Sequence, residues 1–398
     1  MNQTLSTTNQ RIWSVDMLRG FVIALMAIDH IRDFWALTPF APEDLTQTSM
    51  GWFFTRWITH FCAPVFVFLA GTSAFLFGQK VNDKGQLAKF LLSRGIWLLF
   101  IEITVINLSW TFSWYTTTGM VFFQVIWVIG ISMISLAGLI YLPEKWIAMI
   151  GLLLVAGHNA LDGITPDSFG GLGWFWNLLH MGFSFIPLNR DPAFGIFVVY
   201  PLIPWIGVMA LGYVFGNVML WEKTRRQAFI LKLGFVLITL FILIRFVNIY
   251  GDPNPWIIQE RGAVFTFLSF LNTTKYPPSL LFLMMTLAPG LLLLVPFENL
   301  KGKGMEILKV FGKVPFFFYV SHFLIIHLGS RVFYYITLGE NINFFRLMAM
   351  GEDFPNGYLP RLWLVYVVWG VLMVFLYFLC KWYGNYKASH RYWWLKYL

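Results

Sequence analysis

Apolar segments of membrane-spanning length alternate with short polar stretches along the whole chain. A transmembrane helix needs about 20 consecutive, mainly apolar residues, so the pattern predicts about ten such helices. An eleventh is expected if the aromatic stretch 165–190 re-enters the membrane. The predicted segments lie at about residues 17–38, 52–79, 90–113, 120–141, 145–163, 194–218, 227–250, 278–297, 308–335 and 361–384. The predicted fold class is therefore an all-α integral membrane protein, a bundle of transmembrane helices.

Composition and loop charge agree with this prediction. Of the 398 residues, 58% are hydrophobic and 12% are charged, which is more apolar surface than a soluble core needs. Lysine and arginine concentrate in every second loop, notably at 80–94, 223–226 and 301–309. The positive-inside rule then predicts that both termini are cytoplasmic. The formal charge of +9 reflects this cytoplasmic excess, and we expect no nucleic-acid partner.

Two further features bear on the organisation of the chain. Cys62 and Cys380 both lie inside apolar segments, which speaks against a disulfide framework. The first residues are polar and no small-residue cleavage site follows a short apolar run, so we expect no cleavable signal peptide. We predict one membrane-embedded domain over residues 1–398.

The first apolar segment carries an unusual set of ionisable residues for a membrane helix. Asp16, Arg19 and His30 fall within a wedge of roughly 60° when projected down a helix. His30 lies roughly 17 Å beyond Arg19, near the middle of a hydrocarbon core about 30 Å thick. Ionisable groups at this depth are costly and normally face a protein interior or a wet cavity. The stripe therefore predicts a site that is reached from one side of the membrane.

Other polar residues are buried in later segments. Pro64 is expected to kink the second segment. The Glu102 carboxylate in the third is expected either to pair with an arginine, for which Arg19 is the candidate, or to face water. The candidates for lining a substrate site are His60, Glu102, Asn107 and His322.

The sequence contains no metal-ligand motif, nucleophile elbow, P-loop or dinucleotide fingerprint, so we expect no metal ion. What remains is a buried histidine, His30, with carboxylate and guanidinium neighbours. Such a histidine can act as a general base toward a hydroxyl or an amine. It can equally serve as a proton relay in a carrier. The residues alone leave both interpretations open.

Three blocks of sequence carry a family resemblance. The first runs from Arg11-Ile-Trp-Ser-Val-Asp16-Met-Leu-Arg19-Gly20 to Asp29-His30, with His30 14 residues after Asp16. The others are Ala63-Pro-Val-Phe-Val-Phe-Leu-Ala-Gly-Thr-Ser73 and Phe311-Gly-Lys-Val-Pro-Phe-Phe-Phe-Tyr-Val-Ser-His322. They resemble the transmembrane acyltransferases, and within them bacterial members of the heparan-alpha-glucosaminide N-acetyltransferase family. The resemblance implies a family-like core over about residues 11–328.

The resemblance also implies a reaction. The donor is expected to be acetyl-CoA or another acyl-CoA that arrives from the cytoplasm, its phosphates meeting Arg19, Arg94 and Lys313. His30 is then the histidine needed for transfer, taking a proton from a hydroxyl or amine on the outer side. A covalent acyl-histidine is the variant mechanism.

The acceptor is expected to be a sugar or glycoconjugate. Asp33, about 60° from His30 around the helix, is preferred over Asp29, about 100° away, for orienting the imidazole. The lysosomal enzyme of the family has a lumenal domain ahead of its first span, whereas about a dozen residues precede it here. We therefore expect an acceptor other than heparan-derived glucosamine.

The resemblance further implies a multi-pass protein of the bacterial cytoplasmic (inner) membrane, and a homodimer is a reasonable expectation. Two other classes of function stay open. The first is a proton-coupled small-molecule transporter, in which His30, Glu102 and Arg19 form the relay. The second is a scaffold subunit whose buried ion pairs are inert.

Overall fold

The computed structural model describes residues 12–112, 119–190, 193–339 and 353–396, together with residues 342 and 347. Arg11, which opens the first sequence block, lies outside the described residues. In chain order the helices are α1 (Trp13–Trp35), α2 (Met50–Thr59), α3 (Cys62–Val81), α4 (Lys84–Ile101), α5 (Asn107–Thr111), α6 (Val125–Leu139), α7 (Glu144–Gly157), α8 (Gly173–Leu179), α9 (Leu202–Val218), α10 (Lys223–Val247), α11 (Ala263–Leu271), α12 (Leu280–Asn299), α13 (Lys303–Lys313), α14 (Pro315–Leu338) and α15 (Leu362–Ser389).

Short turns of other helical types complete these elements. A π-helical turn, Glu102–Ile106, joins α4 to α5. Turns of 3-10 helix lie at His158–Leu161, Pro166–Leu172 and Trp393–Lys396. Each predicted apolar segment contains a helix, so the predicted mostly helical fold is confirmed.

Six helical stretches among the described residues are long and apolar enough to cross a membrane. They are Met50–Val81, Lys84–Thr111, Lys223–Val247, Leu280–Asn299, Pro315–Leu338 and Leu362–Ser389. A seventh span results if Glu144–Leu161 and Pro166–Leu179, which meet at 108°, count as one. The chain is therefore a multi-pass membrane protein. The count of about ten spans and the cytoplasmic position of both termini stay predictions.

A small sheet interrupts the helical pattern and was not predicted. Strand β1 (Met120–Phe123) pairs in parallel with β3 (Ala193–Val198), which pairs antiparallel with β2 (Ser184–Arg190). The predicted segments 120–141 and 194–218 thus begin as strands and become helical only at α6 and α9. Hydropathy does not distinguish the two, because β-branched and aromatic runs are as apolar as helical ones and suit strands better.

Helix α1 occupies the centre of the bundle, since most of its residues are buried and it packs against α2, α3, α12, α13, α14 and α15. Its contact with α13 is especially close. A Cβ at Gly20 would lie 2.0 Å from the carbonyl oxygen of Leu308, and one at Gly312 would lie 1.8 Å from that of Asp16. Glycine at both positions lets the two backbones touch. The Arg-Gly pair of the first sequence block therefore has a packing reason.

Two prolines shape the walls around α1. The interruption predicted near Pro64 is present, because α2 ends at Thr59 and α3 begins at Cys62. A proline cannot donate to the carbonyl four residues earlier, which here belongs to His60. Pro315 similarly begins α14 directly after α13 ends at Lys313, with Val314 between them. The second break brings the end of α13 against the first turns of α1.

Candidate active site

A single large cavity of about 840 Å³ extends along α1 in the described part of the chain. Its walls are mainly apolar and aromatic, contributed by α3, α4, α6, β1, β3 and the start of α14. Charged side chains lie at its two ends. We call the first group the basic end, which comprises Arg19, Arg94, Lys313 and Lys387, and the second the ionic end, which comprises Asp29, Arg32, Asp33, Arg56 and Lys275. His30 lines the cavity between them.

At the basic end, three contacts fix the guanidinium of Arg19. Its Nη1 donates to Asp16 Oδ1 at 3.2 Å and to the carbonyl oxygen of Gly312 at 3.3 Å, while Nη2 donates to Ser73 Oγ at 2.7 Å. The predicted pairing of Asp16 with Arg19 is thus present. The close approach of Gly312 to α1 explains why its carbonyl oxygen can reach this side chain.

His30 lies among aromatic rings on one side and the cavity on the other. Its ring centroid is 4.2 Å from that of Phe323, 5.2 Å from that of His322 and 5.8 Å from that of Trp110. Nδ1 is buried and makes no hydrogen bond within the described residues. Packing against rings holds the imidazole in place, and Nε2 is the nitrogen that reaches the cavity.

The ionic end is a closed network around Asp29. Arg56 Nη1 donates to both Asp29 oxygens at 2.8 and 2.7 Å, and Thr59 Oγ1 donates to Oδ1 at 2.9 Å. Arg32 Nη1 lies 2.7 Å from Asp29 Oδ1, and Arg32 Nη2 donates to Asp33 Oδ1 at 2.6 Å. Arg56 also pairs with Glu43 from the loop after α1. A carboxylate with this many donors is well compensated despite its burial.

The predicted contact between Asp33 and His30 is not formed, which corrects the expectation from helix angles. Asp33 lies on the cavity wall, but its carboxylate accepts a hydrogen bond from Arg32. Asp29 is held by Arg56, Thr59 and Arg32 and does not bond to His30 within the described residues either. Two arginines compete successfully for both carboxylates, because charge-assisted hydrogen bonds are stronger than those to a neutral ring.

The predicted pairing of Glu102 with Arg19 is wrong. Glu102 is fully buried, and its carboxylate accepts the backbone N–H groups of Gln124 at 2.9 Å and Trp127 at 3.2 Å. It therefore caps the start of α6, where unpaired N–H groups and the helix dipole favour an anion. Asn107 exchanges two hydrogen bonds with the backbone of Phe122 in β1. Neither residue lines the cavity.

The two other predicted lining residues also lie behind the cavity wall. His322 is fully buried, and its Nδ1 is 3.0 Å from the carbonyl oxygen of Phe318 on the preceding turn. It supports His30 by ring contact rather than facing the cavity. His60 is buried against Phe282, with Nε2 3.6 Å from the Glu43 carboxylate. The remaining candidates Arg19, Asp29, His30, Asp33, Arg94 and Lys313 all line the cavity.

The structure adds residues that the sequence did not single out. Lys275 lines the ionic end although it comes from the stretch between α11 and α12, and its ammonium lies 5.1 Å from the centre of the Tyr276 ring. Tyr276 packs against Tyr200 and Phe183, which also line the cavity. No distinctive signal in the sequence marks Lys275, because the loop 251–277 also carries Arg261.

A cavity with cations at one end, an imidazole in the middle and polar groups at the other end suits the transfer of a group between two ligands. It suits a reaction of a single ligand less well. A cluster of cations at one end can bind phosphates. The neutral imidazole in the middle can accept a proton, and hydrogen-bonding groups at the other end can hold a polar acceptor. The apolar walls between them exclude bulk water from the path.

The family comparison points to the same chemistry. A family model described as heparan-alpha-glucosaminide N-acetyltransferase, catalytic, matches residues 11–249, more than half of the chain. No curated protein matches the chain. The matched range includes α1 with His30, whereas Lys275 and Lys313 lie beyond it. The chain therefore belongs to the heparan-alpha-glucosaminide N-acetyltransferase catalytic-domain family, a family of membrane acetyltransferases.

Proposed function

We propose that this protein moves an acetyl group, or another acyl group, from an acyl-CoA bound at the basic end to a hydroxyl or amine entering from the ionic end. The acceptor is a sugar or glycoconjugate, and the enzyme works in the cytoplasmic membrane of a bacterium with the basic end toward the cytoplasm. The observation that carries the proposal is the cavity itself, which joins Arg19, His30 and Asp29 in one continuous space. A homodimer remains a prediction.

The length of the cavity fits the donor. Arg19 and His30 are eleven residues apart on α1, which corresponds to about 17 Å of helix. A pantetheine arm of roughly 15–20 Å therefore reaches from phosphates held at the basic end to the imidazole. Arg19, Arg94 and Lys313 are the residues that would hold those phosphates, and Lys387 joins them on the same wall. The mainly apolar wall beyond them suits an uncharged arm.

His30 acts as the general base in this proposal. Its Nε2 takes the proton of the attacking hydroxyl or amine while the acceptor atom bonds to the acyl carbon and the carbon–sulfur bond breaks. The proton then passes to the departing thiolate, so the imidazole returns to its neutral form. Packing against Phe323, His322 and Trp110 holds the ring through the cycle. In the variant mechanism the same nitrogen carries the acyl group between two half-reactions.

The ionic end is proposed to bind the acceptor. Lys275 and Tyr276 line the cavity there, and both can hydrogen-bond to hydroxyl groups of a sugar. The network of Asp29, Arg32 and Arg56 keeps the wall rigid. Aromatic residues such as Tyr200 offer the flat apolar surfaces against which sugar rings pack.

The transporter alternative has no matching observation. It needs Glu102 as a member of a proton relay with His30 and Arg19. Glu102 instead caps α6 and lies behind the cavity wall, and Arg19 bonds to Asp16, Ser73 and Gly312.

The test is turnover of labelled acetyl-CoA by the detergent-purified protein beside a His30→Ala variant. We expect both proteins to bind the donor with similar Kd, because the phosphate-binding residues are unchanged. Acyl transfer to a sugar, or slow hydrolysis of the thioester, should fall by about 10²–10⁴-fold in the variant. Mass spectrometry of the quenched wild type then shows whether His30 becomes acylated.

His322→Ala is the matched control, since it removes a neighbouring histidine that does not line the cavity. We expect it to lower activity less than His30→Ala does. A folded wild type that binds no acyl-CoA would overturn the proposal. Loss of thermal stability in His30→Ala without loss of activity per folded molecule would favour the scaffold interpretation instead.

A further inference from the structure

A second cluster of ligand-type side chains lies away from the cavity's reacting centre. His158, Asp162 and His180 each present one potential ligand atom, and these three atoms lie within 4.8 Å of one another. His158 begins the 3-10 turn after α7, Asp162 follows that turn, and His180 follows α8. Nothing in the transfer chemistry uses these residues.

Burial and hydrogen bonding distinguish this cluster from an ordinary surface group. His158 and His180 are each only 1% exposed. Among the described residues, Nδ1 of His180 makes no hydrogen bond, and neither ring nitrogen of His158 bonds to a side chain, although that ring lies beside the Pro278 backbone. A buried polar atom without a partner is destabilising, so a fold that places several of them together is suited to a ligand.

The distances agree with a shared cation. His180 Nε2 and Asp162 Oδ1 are 3.0 Å apart in a hydrogen bond, and a shift of a few tenths of an ångström would let both bind one tetrahedral ion with bonds of about 2.0–2.2 Å. The two imidazole rings meet edge to face with their centroids 5.6 Å apart. Asn159 donates to the second Asp162 oxygen at 2.9 Å and so orients the carboxylate. Such support by an outer partner is typical of metal ligands.

From these observations we propose that His158, Asp162 and His180 bind one divalent transition-metal ion, with Zn²⁺ as the best match. Two neutral imidazoles and one carboxylate form a common three-ligand set for Zn²⁺, completed by water. The Asp162 side chain is 21% exposed, so it provides both the entry path and the space for that water.

The ion would bridge the two arms of the bent pair Glu144–Leu161 and Pro166–Leu179, which meet at 108°. His158 lies on the first arm, and His180 directly follows the second. The chain then continues through Gly182, where a Cβ would lie 2.7 Å from the Tyr276 backbone, to Phe183 on the cavity wall. The ion therefore anchors the segment that closes the ionic end.

The first measurement is the metal content of tag-free protein, purified in detergent without chelators. Protein stripped with a chelator is then titrated with Zn²⁺ in competition with a chromogenic chelator, and its thermal midpoint is recorded with and without one equivalent of Zn²⁺. We expect about one Zn²⁺ per chain and a higher midpoint in its presence, because an ion that binds only the folded state stabilises it.

Single variants assign the ligands. His158→Ala and His180→Ala should each weaken Zn²⁺ binding by at least about 100-fold, since even the loss of an outer-shell partner costs 10–100-fold. Asp162→Asn keeps the size of the side chain and should weaken Zn²⁺ binding as well. This variant tests the proposal if the alanine variants do not fold. His390→Ala is the control, because its ring stacks on Tyr386 in another part of the molecule.

Wild-type protein that binds no Zn²⁺ at one equivalent overturns the proposal and leaves only the hydrogen bond between His180 and Asp162, with the His158 ring beside it. Binding that survives in the His158→Ala, His180→Ala double variant overturns it too, as does an equal loss in His390→Ala. These outcomes are independent of acyl transfer, because metal content and thermal midpoint are measured without substrate.

Discussion

The two ends of the cavity carry similar numbers of charged side chains but differ in how cations and acids are balanced. The basic end brings four cations to the cavity wall, and one of them, Arg19, pairs with Asp16. At the ionic end, Asp29, Asp33 and Glu43 balance Arg32, Arg56 and Lys275. Among the described residues, cations therefore predominate on the wall at one end, and acids and cations balance at the other.

This difference indicates which end binds an anion and which maintains the architecture. Ion pairs that are fully compensated contribute little to ligand affinity but are costly to break. A cluster of several cations on one wall is where an incoming phosphate gains most. The following changes test this division.

Asp29→Asn should have the largest effect on stability. The change leaves Arg32 and Arg56 facing a neutral amide in a buried site, which costs about 3–5 kcal/mol when a buried pair is broken. We expect a clearly lower thermal midpoint in detergent, with the Kd for acyl-CoA unchanged in the folded fraction. Asp167→Asn, at an exposed position, is the control and should unfold like the wild type. An unchanged thermal midpoint in Asp29→Asn would show that the ion pairs of the ionic end do not stabilise the fold, and the two ends would then not differ in this respect.

Arg19→Gln should mainly affect donor binding. Charge-assisted hydrogen bonds contribute about 1.5–3 kcal/mol, so the Kd for acyl-CoA should rise by about 10–100-fold, and its dependence on salt should weaken. Equilibrium binding of labelled donor at two salt concentrations measures both effects. Lys232→Gln removes a positive charge from an exposed site on α10 and should leave the Kd unchanged. Equal effects of the two variants would show that the basic end has no special role.

Gly312→Ala tests whether the backbone contact positions Arg19. The added Cβ would lie 1.8 Å from the Asp16 carbonyl oxygen, so α1 and α13 must separate. Overpacking of this kind costs about 1–3 kcal/mol, and the Arg19 hydrogen bond to Gly312 should weaken with it. We expect a lower thermal midpoint and a severalfold weaker donor affinity. Gly138→Ala on α6, where a Cβ meets nothing within 4 Å, is the control and should be neutral or slightly stabilising. A wild-type midpoint in Gly312→Ala would contradict the tight contact.

Glu102→Gln should have the smallest effect on the reaction, although it lowers stability. The amide has one acceptor oxygen where the carboxylate has two, so the backbone N–H of Gln124 or of Trp127 loses its acceptor in a buried site, which costs about 1–3 kcal/mol. Donor affinity and transfer rate should match those of the wild type. A loss of activity without a loss of stability would instead show that Glu102 takes part in the reaction.

Spacing on one helix decides which residues share the cavity wall. Arg19, Asp29, His30 and Asp33 were chosen from that spacing, and the structure places all four on the wall of one cavity, while their roles in transfer stay predictions. Their partners were not predictable in the same way. Asp33 was expected to meet His30, but Arg32 and Arg56 compete for the carboxylates, and the second of these comes from another helix.

Residues whose role depends on contacts with sequence-distant parts of the chain were missed or misassigned. Glu102 and Asn107 bond to the backbone at 122–127, which becomes a strand and a helix start that hydropathy cannot distinguish from a span. Lys275 reaches the cavity from a loop. His158 and His180 show no metal motif, because the bend between their helical arms brings them together.

The central position of α1 has a consequence for biogenesis. A helix that carries Asp16, Arg19, Asp29, Arg32 and Asp33 is costly to expose to lipid, yet it is synthesised before each of the helices that it packs against. Its neighbours α13 and α14 come much later in the chain, at Lys303–Lys313 and Pro315–Leu338. The nascent helix must therefore be shielded by the insertion machinery, or by early partners such as Arg56, until α13 and α14 have been synthesised.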